Sequence, residues 1–459
     1  MITQTFDYDS QNRLKKQYHQ IGGQPAELLS ENVYNELSQL SGKTVGGSLQ
    51  NISYTYNIRG SLIKVNDPAN LGTNLFGYEL KYYTPASTAT GKRSGNVEEA
   101  IWKSANDGIL KRYSYQYDAL NRLTSGVYTE PGAAVPKDNF YNEVLTYDLA
   151  GNISRLRRNG GGLNATAEEI DDPAYVYTGN HLQTVTDSKY NLSGYPTGGG
   201  LFDYDLNGNM TVQADKGISN IAYNLLDLPS TGTQTNGTIQ YLYRAEGTKL
   251  RKTASGATTD YVDGFQYENN DLKFVPTSEG YYNFENNTCI YKYTDHLGNI
   301  RLSFTKIGSG AAVIEESNFY PYGMKQENTV QSNPAYNYEQ SGKEFQKETS
   351  WSDFGARMYM ADIGRWSVID QLAETTKRIN PYNYALDNPI SYVDPDGRKA
   401  LAIEDRWNWS VAPNSGWFSS RTNFGHFEEF LKLTSIYERE RGSGANSAAY
   451  YIDKKRLYS

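Results

Sequence analysis

One short pattern returns along this chain often enough to dictate its architecture. It occupies residues 8–14, 56–62, 117–123, 147–153, 204–210 and 294–300, with a weaker copy at 243–247. Each full copy opens on Tyr or Thr, follows it with Asp or Asn (Asp9, Asn57, Asp118, Asp148, Asp205, Asp295), and carries Asn or Gly three residues later (Asn12, Gly60, Asn121, Gly151, Gly208, Gly298). That order suits a type I turn closing into a left-handed residue: the Asx side chain caps the turn, and Gly or Asn tolerates positive φ. Every copy therefore predicts a hairpin. Before the turns, Phe6/Tyr8, Tyr54/Tyr56, Tyr115/Tyr117 and Phe202/Tyr204 are two apart and share a strand face. After them, Leu14, Leu62, Leu123, Ile153, Met210 and Ile300 begin the return strands.

The tyrosines Tyr177, Tyr204, Tyr223, Tyr243 and Tyr261 set a repeat of roughly twenty residues, widened by Gly-rich insertions near 159–162 and 197–200. The chain holds 40 tyrosines against 15 phenylalanines, a bias toward half-buried pleated surface where a ring packs and a hydroxyl finds a partner. A net charge of −8, with Lys and Arg dispersed among acids, lacks the basic footprint of a nucleic-acid binder. The single Cys289 excludes an intrachain disulfide and a thiolate metal cage. The four histidines, His19, His181, His296 and His426, are too scattered for a metal set or a triad, so no cofactor and no metal is expected. No apolar run is long enough for a membrane-spanning helix, and residues 1–6 lack the form of a secretion signal.

These Tyr-Asp turns resemble the YD repeats of bacterial Rhs and teneurin-like proteins. From Tyr291 to Gly397 the chain is similar to the Rhs repeat-associated core domain, on the strength of residues 295–301, 320–323, 342–344, 357–359, 364–366 and 388–397. The resemblance implies an all-β fold in which YD hairpins coil into a curved, shell-like continuous sheet. It divides the chain into a repeat segment (1–290), the core domain (291–398) and a variable C-terminal passenger (399–459). It further implies a polymorphic toxin in which the shell contains the passenger and the core cuts it free. The partners would be that passenger, an immunity protein or a secretion-system component, and the location secreted or at the cell surface as part of a longer exported protein.

Cleavage is the chemistry the resemblance assigns to named residues. Asp370 and Asp394 match the family's paired aspartates, Arg357 matches its arginine, and Arg398 and Lys399 form the junction. A carboxylate pair can divide acid and base work, one member drawing a proton from water while its neutral partner polarises the carbonyl. Asp394-Pro395-Asp396-Gly397 also has the residue order of an ordinary turn, and both readings stand at this point. Two positions depart from the family: Gln371 replaces the usual Pro, and Arg398 replaces the large apolar residue before the cut. A buried cation there costs several kcal/mol unless it is paired.

The tail after Gly397 changes character. It holds Trp407, Trp409 and Trp417, and residues 424–431 read as an amphipathic helix with Phe427, Phe430, Leu431 and Ile436 on its apolar stripe. His426 and Glu429 would lie one turn apart, as a surface pair or a nuclease-like site. A short, partly helical C-terminal module is expected. A wall of roughly 240 to 397 residues offers about 3,800 to 6,400 Å² of sheet, and surrounding a compact tail of about 60 residues needs roughly 4,300 Å². The wall would just enclose that tail, and a start within a repeat suggests an N-terminally shortened chain. The competing reading is a cell-surface adhesive scaffold of the same hairpins without cleavage, and a third is a degenerate remnant.

Overall fold

A computed structural model describes residues 1–87, 95–162, 166–196, 198–326, 336–403 and the strand Ser447–Ile452. The hairpin expectation from the turns is met. From Ile2–Tyr8 to Gly310–Glu316 the strands follow one another as an antiparallel meander, with Ala167–Asp171 as a side branch on Ile153–Gly161. Ser447–Ile452 joins the sheet against Ile2–Tyr8, and 29 strands are hydrogen-bonded into one sheet.

The turns share one geometry. In each, the Asx oxygen accepts the backbone N–H groups two and four residues on: Asp9 from Gln11 and Arg13, Asp148 from Ala150 and Asn152, Asp205 from Asn207 and Asn209, Asp295 from Leu297 and Asn299, all at 2.8–3.1 Å. The residue between them is left-handed, as at Asn12 (φ 61°), Asn121 (φ 63°) and Gly151 (φ 84°). Two further turns, at Asn35 and Asn224, have the same form with Ser38 and Asp227 in the left-handed place.

Five tyrosines at strand ends, four of them (Tyr34, Tyr56, Tyr147 and Tyr223) directly before an Asx, donate their hydroxyls backwards, to the carbonyl at the exit of an earlier turn, whereas Tyr117 reaches Val97 O. Tyr34 reaches Leu14 O (2.8 Å), Tyr56 Leu40 O (2.9 Å), Tyr147 Leu123 O (2.6 Å), Tyr177 Ile153 O (2.8 Å) and Tyr223 Met210 O (2.6 Å). A bend leaves that carbonyl outside the regular ladder, and a buried carbonyl without a partner is costly. Phenylalanine fills the same volume but cannot make the bond. Arginines stack on these rings where the turn supplies one: Arg13 lies 4.6 Å from the Tyr34 ring centre and Arg122 4.6 Å from that of Tyr147.

Residues 319–326 and 336–403 pack against the sheet as a plug around Phe354, Tyr359, Trp366 and Tyr384, with Tyr359 and Tyr384 stacked at 3.9 Å. Charged side chains from the sheet anchor it. Fully buried Arg158 pairs with Glu143 and Asp171 and donates to the carbonyls of Ala361 and Asp362. Lys249 bridges Glu344 and Asp353. A strap within the plug crosses the row of turns: Arg365 donates to Asn180 O, Asn380 to Asn152 Oδ1, Tyr382 to Gly208 O and Asn388 to Asn121 O.

Two expectations are corrected. The sheet is continuous but neither closed nor strongly curled, so the structure is not a closed shell. Its two end strands, Ser447–Ile452 and Gly310–Glu316, do not pair with each other, and Ser447–Ile452 lies against Ile2–Tyr8. Among the described residues, early and late strands meet through side chains, such as Lys43 with Glu279 and Gln50 with Tyr293. The partly helical module is not borne out either. Among the described residues no helix reaches seven residues, and the described secondary structure of the tail includes the strands Leu401–Ala402 and Ser447–Ile452. The amphipathic segment at 424–431, with His426 and Glu429, lies outside the described residues, as do Trp407, Trp409 and Trp417.

Two stability measurements follow. Tyr177→Phe is expected to cost about 1–2 kcal/mol in chemical denaturation by orphaning the Ile153 carbonyl, while Tyr190→Phe, at a largely exposed ring, leaves the midpoint unchanged. Asp387, in the strap, is buried, and that burial pushes its carboxyl up to about 8. A folded value above the unfolded one disfavours the native state progressively as pH rises from about 4 to about 8. Asp387→Asn should therefore match the parent in thermal midpoint near pH 4 and exceed it by a margin that grows up to pH 8.

Candidate functional site

Where the strap crosses the end of the plug, the structure brings Arg357, Asp370 and Asp394 together. Arg357 immediately precedes the strand Met358–Met360, and its guanidinium lies 4.3 Å from the Trp366 ring centre. One nitrogen, Nη2, meets both carboxylates, Asp394 Oδ2 at 3.0 Å and Asp370 Oδ2 at 3.2 Å. Arg357 Nη1 donates to Pro381 O at 3.4 Å, and Nε donates to Gly397 O at 2.6 Å.

Asp394 does two jobs. While Oδ2 faces the arginine, Oδ1 accepts the N–H groups of Gly397 (2.8 Å) and Arg398 (3.1 Å), closing the turn read from the sequence. The turn and the charged site are thus the same object. Gly397 sits at φ 76°, and a methyl there would approach the Arg357 amide nitrogen to 2.9 Å. The peptide joining Gly397 to Arg398 is gripped on both sides, its carbonyl by the guanidinium and its N–H by the carboxylate.

The two acids occupy different surroundings. Asp394 is 1% exposed, and burial raises its carboxyl above the usual range against the pull of Arg357. The Asp370 side chain retains 18% exposure and accepts the Leu372 N–H at 2.7 Å through Oδ1. Burial draws the Arg357 guanidinium down from its ordinary value, opposed by both carboxylates. One acid is thus buried with its carboxyl raised by desolvation and the other stands open to water, a difference in surroundings of the kind that separates acid from base roles.

The junction residues lie beside this group. Lys399 is exposed. Arg398, a cation where the resemblance implies an apolar residue, is paired: Nε donates to Gln371 Oε1 at 3.3 Å and Nη1 meets Asp396 Oδ2 at 3.3 Å. Sequence reasoning missed Gln371, Asp396, Trp366 and Pro381 as parts of the site. The charge of Arg398 was the available signal, since a cation in a turn calls for a nearby acceptor. The histidines fall elsewhere: His296 Nε2 contacts Ile390 O, His181 stacks on Tyr204, and His19 is buried between strands.

No family model matches the chain. The toxin subunit YenC2 of Yersinia entomophaga is 22% identical over 389 residues, covering 70% of this chain and 37% of that protein. Salivary gland surface protein 1 of Aedes aegypti is 28% identical over 161 residues, covering 33% of this chain and 4% of that protein. Among solved structures, TcdB2-TccC3 without its hypervariable C-terminal region superposes with a TM-score of 0.65 at 19% identity over 86% of this chain and 20% of that one. The Tc holotoxin pore of Photorhabdus luminescens gives 0.66 at 19%, over 88% and 21%. The fold is therefore related to the β-shell of the Tc toxin subunits, and this chain spans about a fifth of the solved chains and about a third of YenC2.

Gly397→Ala should displace the turn that holds Asp394 and cost about 1–3 kcal/mol, read as a lower thermal midpoint, because it adds left-handed strain to a contact with rigid backbone.

Proposed function

We propose that this chain is a section of toxin wall with its plug, which holds and presents the C-terminal passenger at 399–459 and hydrolyses its own backbone between Arg398 and Lys399. The observation that carries the hydrolytic part is the shared guanidinium nitrogen between Asp370 and Asp394, next to a peptide gripped on both sides. The wall role draws on the likeness in fold to TcdB2-TccC3. A secreted or cell-surface location, the division at 290 and 398, and an immunity or secretion partner belong to the same reading.

In this reading Asp370 takes a proton from water as the water oxygen bonds to the Arg398 carbonyl carbon. Asp394 gives its proton to the carbonyl oxygen. Collapse breaks the C–N bond: the Lys399 nitrogen takes the proton held by Asp370, and the oxygen returns one to Asp394. The products are a carboxyl on Arg398 and an amine on Lys399, and both acids end as they began. Arg357 stays charged throughout and fixes the two carboxyls relative to each other.

A second reading, a surface scaffold that is not cut, draws on the partial match to the Aedes surface protein. The two separate on a denaturing gel. Self-cleavage yields a fragment beginning at Lys399, identified by mass, and Asp370→Asn or Asp394→Asn abolishes it while the circular dichroism spectrum is kept. A parent chain that stays intact after prolonged incubation removes the hydrolytic part and leaves the scaffold.

A further inference from the structure

Residue 398 meets two acceptors from different parts of the plug. Gln371 Oε1 comes from the strap immediately after Asp370, and Asp396 Oδ2 comes from the turn immediately after Asp394. Each acceptor thus sits within two residues of one of the paired acids, and the two acceptors contact separate nitrogens of one guanidinium. Asp396 also accepts the Arg398 N–H through Oδ1 at 3.2 Å, tying the side-chain contact to the backbone beside the junction. Gln371 in turn donates to Leu226 O, in the turn between the strands Ile218–Tyr223 and Pro229–Gln234, which leaves its carbonyl oxygen for Arg398.

We infer that Gln371 and Asp396 form a polar seat that selects a basic side chain at the residue before the cut, and so act as specificity-determining residues of the plug. This rests on the cleavage reading above and adds the class of residue that the site accepts. The seat places an acidic and an amide oxygen where a guanidinium presents separate donors. An apolar side chain there would leave both oxygens without that partner. Both contacts lie toward solvent, with Gln371 exposed, so the seat acts by holding the guanidinium in one place rather than through a penalty for buried unpaired groups. Seating Arg398 also fixes the peptide that Arg357 and Asp394 grip, so recognition and backbone alignment are coupled.

The test uses the full chain and a charge exchange. Arg398→Leu and Arg398→Glu should each slow self-cleavage roughly two- to fivefold relative to the parent, and Arg398→Lys less than either. Gln371→Lys placed in the Arg398→Glu chain should restore a substantial part of the lost rate, a rescue that a purely structural role for Gln371 would not give. If Arg398→Leu and Arg398→Glu are cut at the parental rate, the seat is overturned while the cleavage reading stands. A second arm is independent of self-cleavage: an arginine-specific endoprotease is added to the native chain, and cutting after Arg398 is followed by mass spectrometry. Gln371→Ala with Asp396→Ala should expose that bond and speed its cutting several-fold. If the parent never cuts itself, the cleavage reading fails, and an unchanged protease rate in the double variant overturns the seat as well.

Discussion

The bond from a tyrosine hydroxyl to the carbonyl at the exit of an earlier turn is the constraint on which the rest of this structure depends. An Asx turn saves two N–H groups with one side-chain oxygen, but it bends the chain and leaves a carbonyl outside the ladder. The tyrosine of a following hairpin supplies the missing donor and buries its ring in the same step. Turn and ring are therefore one unit shared by neighbouring hairpins. The bond makes Tyr rather than Phe the required residue at Tyr34, Tyr56, Tyr147, Tyr177 and Tyr223.

The plug depends on that regularity. Because the turns hold one geometry, they present a row of amides and carbonyls, and the strap meets them with Arg365, Asn380, Tyr382 and Asn388. Arg158, Glu143 and Asp171 fix the plug from the other side with no solvent exposure, where removing one partner would strand a buried charge. The paired acids are held by these attachments as much as by their own contacts: Asp370 lies on the strap, Asp394 in the closing turn, and Arg357 at the start of a plug strand.

The hairpins were legible in the sequence because Asx at one position and Gly or Asn three residues on answer a single backbone demand. The turns at Asn35 and Asn224 escaped because Ser38 and Asp227 hold the left-handed place, a substitution that the fixed surroundings tolerate but a residue rule does not flag. Closure was not legible. Strand pairing is set locally, whereas the path of the sheet is the accumulated result of twist and insertions. At the site, Asp370, Asp394 and Arg357 came from the resemblance, and composition alone could not join residues that lie on three separate plug segments. The pairing of Arg398 was invisible because its acceptors are set by how the strap folds back over the final turn.

The strap works as a ruler. Its contacts fall on turn residues Asn121, Asn152, Asn180 and Gly208, so the number of hairpins beneath it is counted by the chain itself. Inserting or deleting a hairpin inside that window would shift every mark at once, while growth at the first strands or in the Gly-rich loops would leave the marks in place. A change of length is thus least disruptive outside the window from Asn121 to Gly208, and the hairpins beneath the strap are kept to a fixed gauge.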